Sequence, residues 1–129
     1  MATTTHSDTL NNIRALEPNW DGYDSEAILP SAIALARELV SLMEALLPED
    51  ARESLTISPV RHGGIQLDWS DAEQDHELGI EPDGSLEFLH TNKLTGELVE
   101  RKYPSAGQAV HPGVLMELRA MRAAEAIER

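Results

Sequence analysis

The sequence has no cysteine, which excludes disulfides, thiolate nucleophiles and cysteine-ligated zinc, and fits a reducing compartment. Long apolar runs are missing too. Nothing approaches the ~20 residues of a membrane-spanning helix, and Met1 to Leu10 lacks the basic and apolar regions of a secretory signal. A soluble, cytoplasmic protein is expected. Positive charge is scarce: 10 Lys and Arg stand against 23 Asp and Glu, for a formal charge of −13. That excess repels phosphate backbones and anionic lipid alike, so direct nucleic-acid or membrane binding is not expected. Catalytic signatures are also lacking, with no G-x-S-x-G, P-loop, G-x-G-x-x-G or H-E-x-x-H, and neither enzymatic activity nor a cofactor is expected.

What remains describes a folded domain. The 41% hydrophobic content and clear periodicities oppose wholesale disorder, and 129 residues suffice for one core burying about two thirds of the unfolded surface. Residues 1–7 are expected to be disordered. Leu10, Ile13 and Leu16 then fall on one face of a short helix that Pro18 ends. From Pro30, Ala32, Leu35, Ala36, Leu39, Leu42, Met43 and Leu46 recur at helical spacing. The charged stretch Pro48 to Glu53 leads into a short strand, Leu55 to Ile57, closed by Pro59.

Ile65, Leu67 and Trp69 alternate with Gln66, Asp68 and Ser70, the pattern of a strand with one buried and one wet face. A strand through Leu78 and Ile80 meets Pro82-Asp83-Gly84, a three-residue hairpin loop with glycine at the left-handed position. This loop sets Ile80 opposite Leu86, Leu78 opposite Phe88 and His76 opposite His90. Glu97 to Tyr103 forms a further strand, whose inward face stays open between Leu98 and Val99. Residues 105–129 add a loop and a peripheral helix from about Pro112, with Val114, Leu115, Leu118 and Met121 on one side and Arg119 and Arg122 off it. The predicted class is α+β in the order α-α-β-β-β-β-β-α: a meander of about five strands with helices packed on one face.

Between Arg61 and Lys93 no Lys or Arg occurs, while acids are frequent. Asp68, Asp71, Glu73, Asp75, Glu77 and Glu87 form an array whose alternate strand positions are ~6 to 7 Å apart, comparable to phosphates along a nucleic-acid strand. Such a face suits a basic protein surface, including that of a nucleic-acid-binding protein. Solvation of an ordinary acidic surface is the plainer account.

Three other groups compete for a role. Trp20 and Tyr23, in the turn-rich Asn19 to Asp24 segment, suit either a gap-filling loop or a partner hot spot. The segment is no EF-hand, because Ile28 falls where a bidentate Glu is required. His76 and His90, paired across strands at an open sheet end with Cβ atoms ~5 Å apart, could with Asp71 or Asp75 bind a divalent ion, against the commoner role of a polar edge. His6, His62 and His111 have no assignable partner.

The Asn19-Trp20-Asp21-Gly22-Tyr23 loop followed by Gly63-Gly64-Ile65-Gln66-Leu67-Asp68-Trp69 resembles a group of small acidic bacterial proteins without assigned activity. That group combines an N-W-D-G/S-Y loop with a G-G-I-x-L-E-W strand. The likeness runs from Leu16 to Leu89, with Asp68 where Glu is usual. It implies bacterial origin and a common scaffold, with Trp20 and Trp69 as scaffold residues. The expected function is a non-catalytic interaction protein that binds and inhibits or neutralises a basic partner, in the manner of an antitoxin, immunity protein or anti-defence nucleic-acid mimic. A metal- or ligand-binding domain and a homodimer subunit are the alternatives.

Overall fold

The computed structural model describes residues 5–107 and 109–128, with side chains as far as Met121. Four helices, α1 (His6–Arg14), α2 (Pro30–Leu46), α3 (Glu49–Ser54) and α4 (Pro112–Glu128), accompany five strands: β1 (Thr56–Pro59), β2 (Ile65–Ser70), β3 (Gln74–Ile80), β4 (Leu86–Asn92) and β5 (Leu98–Tyr103). The strands form one antiparallel sheet in sequential order, the predicted meander.

Local chemistry explains the element ends. Thr5 accepts from the Asp8 N–H at 3.0 Å and Asp8 returns a bond to the Thr5 N–H at 3.2 Å, a capping box that starts α1. Helix therefore begins inside the segment expected to be disordered. Helix α3 is an addition to the predicted order. Its six residues are too few for periodicity, but Glu49 and Asp50 suit a helix start and Arg52 a helix end. Leu55 lies just before β1 rather than in it.

The β3–β4 hairpin has the predicted loop: the Glu81 N–H bonds to the Ser85 carbonyl at 2.9 Å, and Gly84 has φ 88°. Ile80–Leu86, Leu78–Phe88 and His76–His90 are register partners. At Gly64 any Cβ would strike the Ile80 carbonyl, so the start of β2 requires glycine.

Ile65, Leu67, Trp69, Leu78, Ile80, Leu86 and Phe88 cover one sheet face and pack with Leu10, Leu39 and Met43 from α1 and α2. The inward face of β5 is resolved by register: Val99 pairs with His90, Arg101 with Phe88 and Tyr103 with Leu86, leaving Leu98, Glu100 and Lys102 on the wet side. Helix α4 is not peripheral, because Val114 and Leu118 are fully buried. The expected outward placement of Arg122 lies outside the described side chains. No described helix is long and apolar enough to cross a membrane.

Candidate functional site

The wet face collects the predicted acids by strand alternation. Asp68 on β2 pairs directly with Glu77 on β3, and Glu87 on β4 lies opposite Lys102 on β5. Glu100, two residues before Lys102, joins the same face. Hydrogen bonding to Glu100, with lesser desolvation and repulsion, raises the Glu87 carboxyl above its ordinary range. Only part of this charge is countered: Lys102 stands 3.4 Å from Glu100, and the Gln66 amide donates to both Asp68 oxygens at 3.0 and 3.2 Å. The unbroken acidic run of the sequence is thus interrupted in space by Lys102.

The other acids divide. Asp75 is on the wet face, where it accepts from the Ser70 hydroxyl at 2.7 Å, so it faces away from the histidines. Glu73 is exposed in the β2–β3 turn. Asp71 is committed inward: one oxygen accepts the Glu73 and Gln74 N–H groups at 2.8 Å and the other meets His76 Nε2 at 2.9 Å. Burial pushes its carboxyl up, but these hydrogen bonds prevail and hold it below the ordinary range.

His76 and His90 are not a polar edge. They are 2% and 7% exposed, with His76 stacked on Trp69 and His90 against Phe88. Their Nδ1 atoms are 2.7 Å apart. At the far end His90 Nε2 meets Glu117 Oε1 at 3.0 Å, and Glu117 also accepts from Arg101 at 2.7 Å and from the Tyr103 hydroxyl. A continuous chain, Asp71–His76–His90–Glu117, therefore crosses the inner face from the β2–β3 turn to α4. Burial, then the bond to Glu117, push the Tyr103 phenol up to about 12, which keeps it a donor.

Proton counting constrains this chain. Its three gaps are each at hydrogen-bond distance and need one proton each, yet two neutral imidazoles bring only two. Filling all three at once would take a third proton shared by the pair, with one positive charge. With Asp71 and Glu117 ionised and Arg101 cationic, the cluster is then neutral overall, which is what burial demands. Burial, partly offset by Glu117 and reinforced by His76, holds His90 below its ordinary range.

The distance also bears on metal binding. An ion bonding both nitrogens tetrahedrally at ~2.05 Å would hold them about 3.3 Å apart. Among the described residues no group of three or more His, Asp or Glu is arranged to hold a metal ion. Each remaining histidine has a neighbour: His6 with Glu44 at 2.9 Å, His62 with Glu81 at 2.8 Å and His111 against the Tyr103 ring.

The Trp20 loop is a braced turn. Asn19 and Asp24 take positive φ, Trp20 Nε1 donates to the Glu26 carbonyl at 2.9 Å, and Asp21 pairs with Arg61 at 2.8 Å. Desolvation notwithstanding, bonds from Tyr23 N–H, Ser25 and Arg61 lower the Asp21 carboxyl to about 2. Trp20 is thus held within the loop, whereas Tyr23 is 72% exposed, with the Arg61 guanidinium 5.4 Å from its ring centre. Comparison with protein-family models, curated proteins and solved structures finds no match to this chain.

Proposed function

We infer that this chain is a non-catalytic interaction protein whose wet sheet face binds, and thereby inhibits or neutralises, a basic protein in the cytoplasm. The observation that carries this reading is the gathering of like charges on one sheet face: Asp68 directly opposite Glu77, and Glu87 on the same side as Glu100 of the neighbouring strand, which raises the Glu87 carboxyl. Like charges in cross-strand contact oppose folding, and a cationic partner would relieve them. Asp68, Asp75, Glu77, Glu87 and Glu100 form the contact, with Glu73 at its rim and Tyr23 as a separate exposed aromatic. Asp71 drops out, since both its oxygens are engaged within the fold. A non-catalytic reading is supported by the histidine chain itself, in which every ring nitrogen is already bonded and none is free for a substrate.

The test begins with affinity capture from the native host and continues with the purified partner. Titration calorimetry at 50 and 300 mM salt, on wild type and on the double variant Asp68→Lys/Glu77→Lys, is expected to show at least tenfold weaker binding for either change. Affinity indifferent to both removes the reading.

The second reading is a homodimer joined along β5. That strand is a free edge on one side and carries Leu98 and Val99 at 58% and 37% exposure. Light scattering that gives a monomer across a hundredfold concentration range dismisses it.

A further inference from the structure

The two ends of the histidine chain belong to different elements. Asp71 sits in the turn between two paired strands, whereas Glu117 is on α4 and meets β5 as well, through Arg101 and Tyr103. Val114 and Leu118 supply the apolar part of that contact. Arg101 and Tyr103 of β5 face the histidines only through Glu117, and Trp69 of β2 and Phe88 of β4 pack their rings against the pair. We propose that the single proton shared by His76 and His90 latches α4 to the sheet, so that α4 docks most tightly when the pair carries one positive charge and loosens when it carries none or two.

The argument is one of gaps. Remove the shared proton and two protons must serve three gaps, so one pair of acceptors is left facing across hydrogen-bond distance. Add a proton and both Nδ1 atoms bear hydrogens that point at each other. Either misfit is least costly where water can enter. A groove of about 470 Å³ runs between α4 and β5, lined by His90, Arg101, Met116 and Glu117, and it opens beside the outermost gap. Separated there, His90 and Glu117 can each be hydrated, whereas His76 is sealed at the opposite side of the pair. The failure therefore falls on the bond by which the histidine pair holds α4, leaving Glu117 its bonds to Arg101 and Tyr103. Because Asp71 and Tyr103 keep their protonation states through neutral pH, the pair is the group that changes.

The sign follows from linkage. The docked form holds the shared proton and the opened form, with its histidines hydrated, releases it, so rising pH favours opening by at most one proton per event. Amide hydrogen exchange of the full chain from pH 5 to 9.5, corrected for intrinsic rates, reads this directly. Protection of residues 114–121 is expected to peak near neutrality and to fall up to about tenfold per pH unit on the alkaline limb, while α2 keeps its protection. In the variant Glu117→Gln, which keeps the acceptor but removes its charge, the alkaline limb should move down by about one pH unit.

Nitrogen-15 NMR of the imidazoles at pH 7 supplies a check that no variant can confound. One shared proton between two Nδ1 atoms is expected. Protection of α4 that is flat with pH, a limb unmoved in Glu117→Gln, or two neutral rings at pH 7 overturns the proposal. None of these outcomes touches the acidic face on the opposite side of the sheet.

Discussion

The two faces of this sheet set the same kind of problem and resolve it differently. On the inner face two basic rings meet at 2.7 Å; on the outer face two carboxylates, Asp68 and Glu77, lie directly opposite each other. Inside, burial limits access to water, so the conflict is settled within the protein by a proton and two flanking carboxylates. Outside, water tolerates the conflict and leaves it for a partner to remove. The lesson is that facing like groups mark structure when every atom is engaged, and a candidate surface when they are not.

The largest expected effect comes from breaking the inner arrangement. His90→Leu preserves apolar packing on Phe88 but leaves His76 Nδ1 and one Glu117 bond without a partner. Breaking a buried charged pair typically costs about 3 to 5 kcal/mol, and the low end applies because Glu117 retains Arg101 and Tyr103. Urea unfolding at pH 7 is the measurement. A loss below about 1 kcal/mol would mean that the chain contributes little to the fold.

A smaller effect separates the two faces by the sign of their response to acid. His90 has a depressed value in the fold, so as pH falls through its ordinary 6.5 the unfolded chain gains a proton that the folded chain resists, and stability is lost. Asp71 is depressed as well. Its contribution is present above its ordinary 3.8 and disappears as pH falls through the lower folded value. Glu87 behaves oppositely. Its folded value is raised above 4.5, so its protonation favours the fold in acid, and that benefit is lost as pH rises through the folded value. Urea midpoints between pH 7 and 4 should therefore fall more steeply in Glu87→Gln, where the offsetting gain is gone, than in wild type. Parallel curves would count against a raised Glu87 carboxyl on the outer face.

Much of this was legible in the sequence, and the limits have physical causes. Pro82-Asp83-Gly84 fixes a loop length, a loop length fixes a register, and the register brings His76 to His90. Burial of that pair is not legible, because it depends on α4 closing a sheet end that strand pattern alone leaves open. A signal for Glu117 does exist: Val114, Leu118 and Met121 share a helical face, and position 117 falls on the same face, so an acid there sits in an apolar stripe. Asp71 is harder to find. Its commitment to His76 arises from a turn geometry that no periodicity encodes, and Asp75, nearer in sequence, points the other way. Glu100 joins the acidic face only once the β4–β5 register is known.

The smallest effect is the most discriminating between a functional and a merely solvated acidic face. Glu77→Gln removes one of two directly opposed carboxylates without changing shape, and relief of such a pair is worth a few tenths of a kcal/mol, about 0.5 at low ionic strength. The variant is expected to be more stable than wild type by that amount in 20 mM salt and equal to it in 500 mM, where exposed charges are screened. A gain in stability coupled to a loss of partner affinity would show that this residue is kept for binding at the expense of the fold. Stability lost instead of gained would mean that Glu77 makes a favourable local interaction, and the opposed pair would cease to argue for a partner.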